Sequence, residues 1–106
     1  MLEPERRFYS DLPKEEQDQW VSELKPCPAT TQLTPITYTA YLHYPVTYLF
    51  CDGDEALPVG LQQAMVNKVS EAAKVHIDTE TCTAGHSPFL SQPEVVLKLV
   101  ANISAA

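Results

Sequence analysis

The sequence predicts an α/β fold: a surface helix followed by β-α-β-α with one short parallel strand pair. Three observations carry the prediction. Residues 45–51, PVTYLFC, are apolar or β-branched at nearly every position, the signature of a strand covered on both faces, as in the interior of a parallel sheet. From Pro58 to about Lys74 the residues Leu61, Met65, Val69 and Ala72 recur at helical spacing, with Gln62, Asn67, Lys68 and Glu71 largely elsewhere, which predicts an amphipathic helix. Val75 to Thr79 then reads as a second short strand. A strand-helix-strand of this length closes as a right-handed parallel crossover, and that handedness sends the loops after both strands to the same carboxyl edge of the sheet.

The remaining elements follow in order. SDLPKEEQDQWVSEL offers Ser10 or Asp11 as a helix cap and Pro13 in the first turn. Its apolar stripe, Leu12, Trp20, Val21 and Leu24, is thin, so the helix lies on a surface rather than in a core. Lys25-Pro26-Cys27-Pro28 stops it. Residues 34–44 are open between a helix started by Thr34-Pro35 and a strand in which Ile36, Tyr38 and Ala40 alternate with threonines. Near the end, Ser91 and Glu94 form a capping box with Pro93 in the first turn, opening a helix that carries Val95, Val96, Leu99, Val100 and Ile103.

Composition narrows the function classes. The chain has 106 residues, one domain at most. Seven basic residues against fourteen acidic ones give a net charge of -7, which argues against nucleic acid and anionic membrane surfaces as partners. Apolar runs are far too short to cross a bilayer, and the charged start MLEPERR is unlike a signal peptide; the expected location is the cytoplasm. Cys27, Cys51 and Cys82 are widely spaced without a CxxC, so reduced thiols are expected rather than a disulfide framework or a zinc knuckle. His76, Cys82, His86 and Asp54 match no standard zinc spacing, and His43 has no evident partner in the sequence. No metal or cofactor is expected.

The chemistry concentrates in TCTAGHSPFL, residues 81–90, which places His86 in the loop after the second strand. Asp52, Asp54 and Glu55 lie in the loop after the first. A carboxylate that accepts a ring N–H fixes the imidazole tautomer and stabilises the imidazolium, which is how a general base is held. The plainer reading is a surface histidine with acidic residues that aid solubility.

CDGDEALP followed by LQQAM, then AGHSPFLSQPEVV, resemble the last third of an α/β-hydrolase of the plant methylesterase and hydroxynitrile-lyase type, in the form common in fungi. RRFYSDLPKEEQDQWVSEL resembles that family's cap segment. The resemblance implies a partial α/β-hydrolase fold, with residues 1–44 as cap segment and connector and 45–106 as the C-terminal β-α-β-α part of the core. It implies Asp54 as the acid and His86 as the base of a serine ester hydrolase, Asp54 being preferred to Asp52 because it stands before the Leu57-Pro58 step. By the same analogy Trp20, Phe89 and Leu90 line an acyl pocket, ordinary packing being the plainer account of all three.

The chain departs from the family pattern at one decisive place. The family order is Ser, Asp, His, with serine in G-x-S-x-G on a strand-to-helix elbow, and no such motif precedes Asp54. Ser87 adjoins the base in sequence, and neighbouring side chains diverge, so it is a poor nucleophile. The oxyanion-hole loop is missing as well. The expectation is therefore a chain that carries acid and base but not nucleophile, inactive alone and acting on a small-molecule ester only when completed by an N-terminal part. An apolar strand with a single partner is marginal, which suggests a C-terminal piece of a larger hydrolase. The alternative is a non-catalytic remnant or binding module that associates through its strand edge.

Overall fold

Two strands form, β1 (Thr47–Cys51) and β2 (Asp78–Cys82), in a computed structural model that describes residues 3–105. They pair in parallel, with Thr47 opposite Asp78 and Cys51 opposite Cys82. Around them stand helices α1 (Pro4–Tyr9), α2 (Lys14–Glu23), α3 (Thr30–Leu33), α4 (Val59–Ala73), α5 (Pro88–Ser91) and α6 (Pro93–Ala105). The α/β class and the parallel β1-α4-β2 crossover agree with the sequence reading.

β2 begins three residues later than Val75. The end of α4 explains the shift. Lys74 takes the left-handed conformation that closes the helix, and Val75 stays tied to it: its N–H donates to Ser70 O at 3.2 Å, and Ser70 Oγ donates to Val75 O at 2.7 Å. Pairing with the first strand starts only where Asp78 N–H reaches Val46 O. The apolar Val75 and Ile77 therefore serve the turn, and the strand is built from the less apolar DTETC.

α4 is rotated relative to its expected face. Its buried residues are Gln62 and Val66, whereas Leu61 and Met65 are 47% and 42% exposed. The cause is polar. Gln62 Oε1 accepts Cys51 N–H at 3.0 Å, and its Nε2 donates to Cys51 O at 3.1 Å and Leu57 O at 2.6 Å. Successive residues of a strand direct their backbone groups to opposite edges; Asp52 N–H turns to Cys82 O, so the Cys51 groups face away from β2 and the Gln62 amide takes the place of a neighbouring strand.

β1 is not the doubly covered strand its composition suggests. Thr47 to Phe50 are half-buried and only Cys51 of the strand is buried, since among the described residues the strand has β2 alone as a partner. The buried cluster is Cys51, Cys82 and Ala84, with Leu49 and Val95 packed against it. This core lies at the carboxyl ends of the strands, under the two loops that follow them.

At the N-terminus α1 was not foreseen; Pro4 at its start, Glu5 in the first turn and Arg6 and Arg7 in the last suit the helix dipole. Neither Ser10 nor Asp11 caps α2, which starts after Pro13 without a side-chain cap. Tyr9 and Leu12 are buried, and Gln17 Nε2 donates to the carbonyls of both at 3.0 and 3.1 Å, fixing the α1–α2 corner. Trp20 and Val21 are half-buried and Leu24 exposed, as a surface helix requires. Residues 34–44 form neither long helix nor strand, only a 3-10 turn at Ala40–Leu42, with the Tyr38 and His43 rings stacked at 5.3 Å. The expected capping box is absent: Ser91 closes α5, with its Oγ directed to Ser87 O, and Gln92 O receives the first N–H groups of α6. Leu97, Val100 and Ile103 of α6 are exposed.

Candidate active site

The loop after β1 leaves the strand by bonding to the backbone at the end of β2 and in the loop that follows it. Asp52 N–H donates to Cys82 O at 3.0 Å and Gly53 N–H to Ala84 O at 2.9 Å. A Cβ on Gly53 would stand 2.9 Å from Thr83 O and 3.1 Å from Ala84 O. Both are backbone atoms that cannot swing aside, so this close approach requires glycine. The next residue is Asp54, whose Oδ1 accepts Ala56 N–H at 2.8 Å and Leu57 N–H at 2.9 Å. That local turn sets the orientation of the carboxylate before any partner arrives.

The partner is His86. Its Nδ1 lies 2.9 Å from Asp54 Oδ2 and 3.1 Å from Oδ1, across 32 positions of sequence. The Asp54 side chain is 6% exposed and that of His86 32%, so the carboxylate is sheltered while the ring remains reachable. An ionised carboxylate only accepts; in the neutral ring Nδ1 therefore carries the hydrogen and donates, which leaves the Nε2 lone pair free to take a proton.

Asp52 makes no such contact: it is exposed, and its backbone N–H is what the structure uses. Glu55 pairs with Arg6 at 3.4 Å, a contact that holds the Arg6 guanidinium above its usual range, after the larger effect of Glu3. Ser87 is buried, and its Oγ donates to Phe8 O at 2.8 Å, so it points away from the base. Phe89 is 61% exposed and lines a shallow hollow of about 570 Å³ with Pro93, Val96, Leu97 and Val100, a set that includes neither His86, Trp20 nor Leu90. Trp20 lies half-buried on α2, and Leu90 half-buried on α5.

The residues weighed as metal ligands are dispersed among other partners. His76 pairs with Asp78 at 2.8 Å in an exposed position, and Cys82 is buried with its Sγ 3.8 Å from Cys51 Sγ. Among the described residues no three His, Cys, Asp or Glu side chains converge as metal ligands would. Burial first, and then the neighbouring Cys82 thiol, push the Cys51 thiol up to about 12, which keeps it protonated and unreactive.

Two contacts of the base loop lie outside the sequence reading. The Phe8 ring stacks on the His86 ring at 5.3 Å with 25° between planes, and Asp11 Oδ2 accepts Gly85 N–H at 2.7 Å. Both partners belong to the N-terminal segment. Asp11 was read there as a helix cap, and no periodicity signals a bond made across 74 positions.

Residues 1–99 match the alpha/beta hydrolase family. The chain is 38% identical over 85 residues to the alpha/beta hydrolase nvfD of Aspergillus novofumigatus, an overlap covering 80% of this chain and 32% of that protein. It is 32% identical over 72 residues to a protein of Phoma sp. named as a probable hydrolase, covering 68% of this chain and 30% of that one. It thus spans about a third of the length of these curated relatives. No helix among the described residues is long and apolar enough to cross a membrane. By the match along nearly its whole length, the chain belongs to the alpha/beta hydrolase family.

Proposed function

We propose that this chain supplies the acid and the base of a serine-type carboxylic-ester hydrolase of the plant methylesterase and hydroxynitrile-lyase type. The observation that carries the reading is the sheltered carboxylate of Asp54 against His86 Nδ1 at 2.9 Å. In acyl transfer a serine hydroxyl attacks the ester carbonyl while His86 Nε2 takes its proton. Asp54 holds the ring and stabilises the imidazolium, and His86 then gives the proton to the departing alkoxide. A water molecule repeats the sequence on the acyl-enzyme. Serine and oxyanion donors are the parts that polypeptide outside these 106 residues would provide; Ser87, buried and bonded to Phe8 O, does not serve.

The test is a chimera in which this chain replaces the matching segment of the Aspergillus novofumigatus relative, assayed with 4-nitrophenyl acetate. Turnover that disappears in His86→Ala and falls by about 10²-fold or more in Asp54→Asn supports the reading. Turnover indifferent to both substitutions refutes it. Mandelonitrile as a second substrate separates esterase from lyase chemistry. A second reading, a non-catalytic module that associates through its strand edge, is favoured by the half-buried β1. Concentration-dependent association of the isolated chain in sedimentation, without ester turnover in the chimera, would select it.

A further inference from the structure

We infer that the segment Phe8–Asp11, the last residues of α1 and the turn that follows them, positions the base: Asp11 fixes the backbone of the histidine turn and Phe8 fixes the ring, so the His86–Asp54 contact persists only while this segment is docked. The inference rests on the acid–base reading of the pair and adds positioning residues to it.

His86 is gripped on both sides by the same short stretch of chain. Before it, Gly85 N–H donates to Asp11 Oδ2 at 2.7 Å, a short, charge-assisted and part-buried bond in a turn where this N–H has no strand neighbour to serve. After it, Ser87 Oγ donates to Phe8 O at 2.8 Å. Between these two ties the ring lies against Phe8 at 5.3 Å. An imidazole has two free torsions; Asp54 constrains the ring at one nitrogen, and Phe8 blocks rotation out of the plane that bond requires.

Gly85 shows how closely the two pieces fit. A Cβ there would meet Asp11 Oδ1 at 2.8 Å and Ser10 Oγ at 3.0 Å, so a side chain at this position would expel the carboxylate. The gripping segment is itself held: Tyr9 and Leu12 are buried, Gln17 bonds both their carbonyls, and Arg6 reaches Glu55 on the acid loop at 3.4 Å. One corner of the N-terminal helices thereby spans both halves of the pair.

The experiment follows the His86 Nδ1–H proton by NMR on the whole chain with ¹⁵N-labelled histidine. Wild type is expected to show a downfield, slowly exchanging Nδ1–H resonance. Asp11→Ala should speed its exchange with water about tenfold, the worth of one charge-assisted hydrogen bond, while far-UV circular dichroism stays unchanged. Asp11→Asn, which keeps an oxygen for Gly85 N–H, should restore slow exchange. Phe8→Leu, which retains apolar bulk but not the flat ring, should also speed exchange and carries the test if Asp11→Ala does not fold. Exchange unchanged in Asp11→Ala, or in Phe8→Leu where that variant carries the test, overturns the inference and leaves the His86–Asp54 pair intact. Failure of Asp11→Asn to restore slow exchange overturns it likewise. A wild-type ring protonated at Nε2 alone would overturn the pair itself, a different spectrum and a different conclusion.

Discussion

Replacing Gln62 with leucine tests whether one side chain stands in for a missing strand. Leucine has a similar volume and fits a helix, so the packing of α4 against β1 survives and the loss isolates three hydrogen bonds. Cys51 O keeps the Asp54 N–H at 3.2 Å and costs little. Cys51 N–H is left buried without a partner, about 1–3 kcal/mol, and the Leu57 carbonyl, half-open to water, adds about 1 kcal/mol. The sum, about 2–4 kcal/mol, is a large part of the roughly 5–15 kcal/mol expected for a domain of this size. With a urea slope of about 1.5 kcal/mol/M, the unfolding midpoint measured by circular dichroism should fall by about 1.3–2.7 M. A midpoint within about 0.3 M of wild type would refute the reasoning and show that water or a backbone shift replaces the amide. Gln62→Glu separates shape from hydrogen bonding further: it keeps an acceptor for Cys51 N–H but turns a carboxylate oxygen on two carbonyls, so its stability should recover as the pH falls and the carboxyl takes a proton to donate.

Other substitutions probe the loops and the thiols. Gly53→Ala should cost about 1–3 kcal/mol in the same unfolding assay, because its methyl meets the Thr83 and Ala84 carbonyls, and the His86 Nδ1–H signal should weaken with it. Asp54→Asn keeps an oxygen for Ala56 and Leu57 N–H but turns an NH₂ to the ring, so His86 should move its hydrogen to Nε2, read from histidine ¹⁵N shifts. At pH 8 a thiol reagent should label exposed Cys27 and spare buried Cys51 and Cys82 until the chain unfolds. The folded Cys51 thiol is raised from its ordinary 9.0 to about 12, so the folded chain holds that proton where the unfolded one releases it. The contribution is complete below pH 9 and stability declines as the pH climbs from there towards about 12, measurable as a falling urea midpoint.

Residues 45–51 were legible as a strand because they form a short unbroken apolar and β-branched run, residues 58–74 as a helix because they keep a helical period, and a parallel crossover of this length has one hand. Those facts suffice to bring Asp54 and His86 to one edge. What the sequence hid was polar. Gln62 resembles a surface residue by composition, yet it is 2% exposed, because the backbone of Cys51 needed partners on the side away from β2. That requirement turned α4 by about one position and left Leu61 and Met65 outside. Val75 and Ile77 advertised a strand that hydrogen bonding placed three residues later. Asp11 looked like a cap, since an acidic residue before a proline-led helix commonly is one; its bond to Gly85 depends on how two distant turns meet, which no local pattern encodes. Trp20, Phe89 and Leu90 are carried over by resemblance alone, and no spacing in the sequence ties them to the pair.

The Asp54–His86 pair is also more local than the fold that carries it. From Cys51 to Asp54, and from Cys82 to His86, the chain advances only a few residues beyond a strand pair whose register is fixed, and the two loops bond to each other through backbone atoms at Asp52 and Gly53. Further strands could widen the sheet without altering that geometry, because none of these bonds uses the open edge of β1. The same reasoning assigns the remaining sensitivity to the N-terminal corner, which contacts the base loop at Gly85, His86 and Ser87 and the acid loop at Glu55. Perturbing the outer edge of β1 at Thr47, whose backbone groups, like those of Cys51, face away from β2, should therefore change stability or association while leaving the His86 Nδ1–H resonance in place, whereas perturbing Asp11 should move that resonance first.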